Sequence, residues 1–184
     1  MRHRPGTLHL ALALLALPLG LAAAPAAKPW YAERLAALGF QVYSTPLAAP
    51  EIELEGLDGK KSKLSDLKGK AVLLNFWATW CPPCRAEMPD IQTLWEKTKD
   101  KDFALVALSL GESRQTVADF VAQSGYRLPV YLDPKSRAGG TYGVRSIPTT
   151  YIVGKDGRII AYTVGGREYA TPEVLAFFAE LASR

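Results

Sequence analysis

Residues 71–76 read Ala-Val-Leu-Leu-Asn-Phe, a nearly unbroken apolar run. A strand whose two alternating faces are both apolar has to lie inside a sheet that is covered on both sides. Two more runs of this kind follow, Phe103–Leu110 (FALVALSL) and Pro129–Leu132 (PVYL). Helical patterns stand between and after them. Met88, Ile91, Leu94 and Trp95 recur at helical spacing, and Ser113 heads a segment whose Val117, Phe120 and Val121 share one side, closed by Gly125. TTYIV and RIIAYTV, joined by GKDG, read as a hairpin at the far side of the sheet. Thr171-Pro172 then opens a last helix that buries Val174, Phe177, Phe178 and Leu181. Strands alternating with helices and closed by an antiparallel hairpin predict an α/β domain, with a central mixed sheet flanked by helices.

Ahead of this core, Ile52–Leu64 predicts a hairpin turning at Asp58-Gly59. SDLKG predicts one helical turn capped by Ser65 and stopped by Gly69. Residues 27–48 read as an N-terminal extension in which Trp30, Leu35, Leu38 and Phe40 form one short apolar helix ended by Gly39. Residues 49–184 make up the domain.

The first 26 residues are a unit of their own. Arg2, His3 and Arg4 precede an almost continuous Leu/Ala stretch from Leu8 to Leu21, and Ala24-Pro25-Ala26 supplies small residues. That is the order of a secretory signal cut after Ala26. An uncleaved anchor is the alternative, since Leu8–Ala27 is nominally long enough to span a bilayer; Pro18 and Gly20 argue for the signal. Both place the domain outside the cytoplasm. Loss of Arg2 and Arg4 leaves 20 basic against 18 acidic residues, a balance too even to bind nucleic acid by charge.

The chain has two cysteines, Cys81 and Cys84, the first of them five residues beyond the first apolar run. Half a zinc site would need two further ligands, and the only histidines, His3 and His9, lie in the leader. A structural disulfide closing so small a loop constrains little of the unfolded chain. A redox pair fits the local chemistry. Pro82 suits the first position of a helix, where its missing N–H costs nothing. Cys81 would then cap that helix, its sulfur beside free N–H groups and the positive end of the dipole, which favours thiolate over thiol.

WCPPC (Trp80–Cys84) after an apolar strand resembles the thioredoxin superfamily. Ala49–Pro89, with its hairpin and FWATWCPPCRAEMP, is similar to the extracytoplasmic TlpA/ResA-like thiol-disulfide oxidoreductases of the redoxin group. GVRSIPTTYIVGKDGRII (Gly143–Ile160) resembles their second hallmark. The resemblance spans Ala49–Arg184. It implies a thioredoxin-like fold with an N-terminal hairpin and an extra strand-helix insertion, Phe103–Gly125. It implies Cys81 as nucleophile and Cys84 as resolving thiol of a redox-active disulfide, and Pro148 as a cis-proline facing them. Ile147 would offer its backbone to a bound peptide, with Trp80, Pro82 and Pro83 on the substrate side. Trp77 would pack nearby, and Pro89 would kink the helix. Glu87, one turn past Cys84, would move protons to and from the thiols. Asn75 stands where cytoplasmic thioredoxins carry a buried aspartate, which shifts acid–base work toward Glu87.

The resemblance further implies a monomer without cofactor or metal, acting on disulfides of exported proteins such as apocytochrome c. Electrons would come from a membrane thiol-disulfide donor. Two other functions are weighed against this one. A peroxiredoxin-like peroxidase needs a threonine three residues before its reacting cysteine, and Ala78 stands there. A copper-binding module would need soft ligands beyond the dithiol, and Met88 is the only methionine after the leader.

Overall fold

The computed structural model describes residues 28–184; the expected leader, residues 1–26, lies outside them. The chain runs through α1 (Ala32–Ala37), β1 (Gln41–Ala48), β2 (Glu53–Gly56), β3 (Lys61–Lys63), a 3-10 helix (Leu64–Leu67), β4 (Ala71–Trp77), α2 (Pro82–Thr98) and β5 (Phe103–Leu110). It continues through α3 (Arg114–Ser124), β6 (Val130–Asp133), α4 (Arg137–Thr141), β7 (Thr149–Val153), β8 (Arg158–Val164) and α5 (Pro172–Ser183). Eight strands form one mixed sheet in the order β1-β8-β7-β4-β5-β6-β2-β3. The apolar run that opened the sequence reading is the central strand β4. It pairs in parallel with β5 and antiparallel with β7. Among the described residues no helix is long and apolar enough to cross a membrane.

The two-residue period of β4 divides its side chains between two cores. Leu73 and Trp77 face one, shared with Met88, Ile91 and Leu94 of α2, Val117 of α3, and Phe177 and Phe178 of α5. Val72, Leu74 and Phe76 face the other, with Leu54, Leu64, Ala138 of α4 and Tyr151. Asn75 alternates with Leu73 and Trp77, so a polar amide is set on the face that α2 covers. Its cross-strand partner on β7 is Thr150.

The helix starts follow the capping residues. Ser113 Oγ accepts the Thr116 N–H at 3.1 Å, and Thr171 Oγ1 accepts that of Val174 at 3.3 Å. α3 stops at Gly125, whose φ of 68° suits the left-handed end of a helix.

Several elements depart from the sequence reading. The expected N-terminal helix is only α1, and the residues after it form β1, which pairs antiparallel with β8. The β7–β8 hairpin is therefore not the sheet edge. The 3-10 helix is not capped by Ser65. Its N-cap is Lys63, whose N–H donates to Asp66 Oδ2 at 2.8 Å. Ser65 instead donates its own N–H to Glu51. Trp95 is only half-buried, and α2 buries Glu87 in addition to its apolar positions. The helix α4 was not foreseen. It forms because Asp133 accepts the N–H groups of Arg137 and Gly139 at its start.

Candidate active site

Cys81 and Cys84 sit where β4 gives way to α2, and they are disulfide-bonded with Cα atoms 5.3 Å apart. Cys81 is the N-cap of α2, with Pro82 and Pro83 in the first turn. Its sulfur accepts the N–H of Cys84 at 3.3 Å, the contact expected of a sulfur at a helix start. No acid stands in that first turn to oppose a thiolate. Cys81 Sγ also lies 3.7 Å from the carbonyl oxygen of Ile147. The Ile147–Pro148 bond is cis, as the resemblance implied.

An open cavity of about 700 Å³ adjoins the pair. Trp80, Pro82, Pro83, Ile147 and Arg145 line it, with Gly139 and Gly140 of α4 opposite. Cys81 is on its wall and Cys84 is not. Both sulfur residues are nearly closed to solvent, at 2% and 0% exposure, so access runs through this cavity. Trp80 is 68% exposed, a large aromatic face held beside the disulfide. Trp77, by contrast, is core, packed on Phe120 with ring centroids 5.6 Å apart.

Glu87 is 3% exposed. Asn75 Nδ2 donates to its Oε1 at 2.8 Å, and the Arg167 main-chain N–H donates to its Oε2 at 3.2 Å. The same Asn75 amide donates to Thr150 Oγ1, which also accepts the hydroxyl of the fully buried Tyr169. Burial raises the Glu87 pKa to about 7, against the pull of the Asn75 and Arg167 hydrogen bonds in the other direction. A carboxyl that titrates near neutrality can take a proton from a thiol and return it.

Sequence reasoning missed two parts of this site. The sequence marks Asn75 only as standing in place of an aspartate, whereas the structure makes it a hydrogen-bond donor to Glu87. The second is Glu112, 7% exposed, which accepts the Thr79 N–H, the Thr79 hydroxyl and the Ser109 hydroxyl. It thereby ties the loop that carries Trp80 and Cys81 to the end of β5. The one local signal was an acid directly before the helix cap Ser113. Among the described residues no group of three or more His, Cys, Asp or Glu could hold a metal ion.

The AhpC/TSA family model matches residues 47–162. The thiol-disulfide oxidoreductase ResA of Bacillus thuringiensis (strain Al Hakam) is 44% identical over 117 residues, 64% of this chain and 68% of that protein. A thioredoxin-family thiol:disulfide interchange protein from Chlorobium tepidum TLS superposes with a TM-score of 0.62. It is 30% identical and covers 76% of this chain and 95% of its own. A secreted thiol-disulfide isomerase from Corynebacterium glutamicum is also similar, with a TM-score of 0.65 and 29% identity. There the match covers 74% of this chain and 86% of the other.

Proposed function

Because this chain belongs to the AhpC/TSA family and stands among the ResA thiol-disulfide oxidoreductases, we propose that it reduces disulfides of exported proteins through Cys81 and Cys84. The observation that carries this reading is the position of Cys81: at the helix N-terminus, on the wall of the cavity, beside Trp80 and Ile147. The chain is a thiol-disulfide oxidoreductase, and the reading assigns its roles. In the reduced protein the Cys81 thiolate attacks one sulfur of a substrate disulfide, forming a mixed disulfide and releasing a substrate thiolate. Glu87 accepts the proton of Cys84. The Cys84 thiolate then attacks Cys81 Sγ, which expels the second substrate thiolate and closes the Cys81–Cys84 bond. Two electrons pass to the substrate, and a membrane thiol donor returns them. The apolar cavity beside Cys81 suits a stretch of unfolded polypeptide around the target cysteine, such as that of an apocytochrome c.

The test sets protein disulfides against peroxide. The reduced protein should cleave insulin disulfides in repeated turnovers with a thiol regenerant, and should consume hydrogen peroxide no faster than a free thiol. Fast peroxide turnover with inert insulin would make it a peroxidase instead.

The location proposed is outside the cytoplasm, soluble after removal of the leader; this rests on the sequence of residues 1–26. Expressed in a bacterium with two membranes, the mature protein should begin at Ala27 and appear in the soluble periplasmic fraction. An intact leader recovered with the membranes would make that segment an anchor.

A further inference from the structure

Residues 165–171 connect β8 to α5 and lie across the first turns of α2. The approach is close: a Cβ on Gly166 would stand 3.2 Å from the Pro83 carbonyl oxygen. Two carboxylates of α2 hold this loop by its backbone. Asp90 Oδ2 accepts the N–H groups of Tyr169 and Ala170, at 3.0 and 3.3 Å. Glu87 Oε2 accepts that of Arg167.

The side chain of Arg167 runs the other way. Its Nη1 donates to the Gly39 carbonyl and to Thr163 Oγ1, each at 3.0 Å, and its Nη2 donates to the Leu38 carbonyl. The guanidinium lies 4.3 Å from the centroid of the Phe40 ring. Leu38 and Gly39 follow the last turn of α1, where carbonyls lack helical donors and a cation is favoured. Gly39 has φ +79°, and a Cβ there would meet Arg167 Nη2 at 2.7 Å. The positive φ favours glycine at this position, and any side chain there would push the guanidinium aside.

One residue thus joins the carboxyl one helical turn past Cys84 to the N-terminal unit. We propose that Arg167 is a positioning residue for Glu87, and that the α1–β1 unit is the fixture that holds it. The proposal rests on the reading of Glu87 as the group that exchanges protons with the thiols. A simple staple would fix α1 to the domain and leave the Glu87 proton untouched. A positioning residue changes that proton's affinity when its side chain is released, because the N–H on Oε2 loosens and the cation moves away. The charged and titratable groups around Glu87 are Arg167 and Tyr169 from the loop, and Asp90 from α2. The strands β4 and β7 add only the uncharged Asn75 and Thr150.

Carbon-13 NMR titration of the Glu87 carboxyl in the oxidised full domain reads the effect directly. Arg167→Ala should move the midpoint upward by about one unit, a tenfold gain in proton affinity. Gly39→Ala, which keeps the charge but displaces the guanidinium, should move it the same way. Arg167→Lys should recover only part of the shift, since an ammonium cannot span two carbonyls as a planar fork does. An unchanged midpoint in folded Arg167→Ala, or in Gly39→Ala should the first not fold, overturns the proposal. Glu87→Gln separates the two ideas. If its disulfide exchange keeps the wild-type pH profile while Arg167→Ala still moves the Glu87 midpoint, the proton-transfer reading falls and the positioning stands.

Discussion

Cys81→Ser should reduce disulfide exchange to the uncatalysed background, a loss on the order of 10³-fold or more, as expected when a nucleophile is removed. Serine forms no disulfide, so the first covalent step has no nucleophile. Cys84→Ser should behave differently. Its Cys81 can still attack, but nothing resolves the product, and mixed disulfides with exported cysteine proteins should accumulate until dithiothreitol releases them. The asymmetry comes from geometry: Cys81 lines the cavity and accepts the Cys84 N–H at the helix start, while Cys84 is one turn inside α2 and fully buried. Non-reducing gels with mass mapping of the linked cysteine decide the matter. Adducts through Cys84 in Cys81→Ser, with none through Cys81 in Cys84→Ser, would reverse the assignment.

The second large effect is on stability against pH. Glu87 titrates near 7 in the folded protein, above the 4.5 of an ordinary glutamate, because it is buried. Between those values the folded protein keeps a proton that the unfolded chain has released. Its contribution is therefore complete below about pH 4.5 and is lost as pH rises through about 7. A separation of about 2.5 units corresponds to roughly 3 kcal/mol. Urea unfolding of the oxidised protein from pH 4 to 8.5 should show the wild type losing this amount relative to Glu87→Gln. Curves for the two proteins that run parallel across the range would mean that Glu87 has an ordinary carboxyl.

The parts of the fold that were legible in the sequence are those fixed by local patterns. The runs at 71–76 and 103–110 are apolar on both faces and became β4 and β5. Ser113, Gly125 and Thr171 marked helix ends because their side chains or φ angles serve the backbone next to them. β1 was not legible. Its side chains are mostly exposed, it contains Pro46, and its pairing shifts register between Val42 and Leu47, features that an edge strand tolerates. Only β8, more than a hundred residues later, makes it a strand. α4 has two glycines in five residues, and Asp133 supplies its start from outside. The 3-10 helix Leu64–Leu67 shows a competition within one short stretch, where Asp66 accepts the N–H of the N-cap Lys63 and Ser65 does not cap.

The site divides in the same way. The cysteines, the prolines around them, Ile147-Pro148 and Glu87 lie in compact motifs and could be named from the sequence. What surrounds them could not. Asn75 meets Glu87 only because β4 alternates it onto the face that α2 covers, and Arg167 reaches Glu87 across 80 positions. Glu112 reaches Thr79 across 33. Such contacts leave no periodicity to read; they follow from the topology.

The order of the strands also bears on the chain as it is made. Synthesis delivers the N-terminus first, so β1 must wait for β8 and the Leu38 and Gly39 carbonyls must wait for Arg167. Cys81 and Cys84 emerge well before Ile147, Arg167 and Tyr169, and can meet each other with only the first turn of α2 in place. A half-emerged chain therefore owns the sulfur pair without the Ile147 side of the cavity or the Arg167 N–H on Glu87. Ile147, Arg167 and Tyr169, which complete the surroundings of Cys81 and Glu87, all lie within the last 38 residues, so those surroundings close after the cysteine pair has been made.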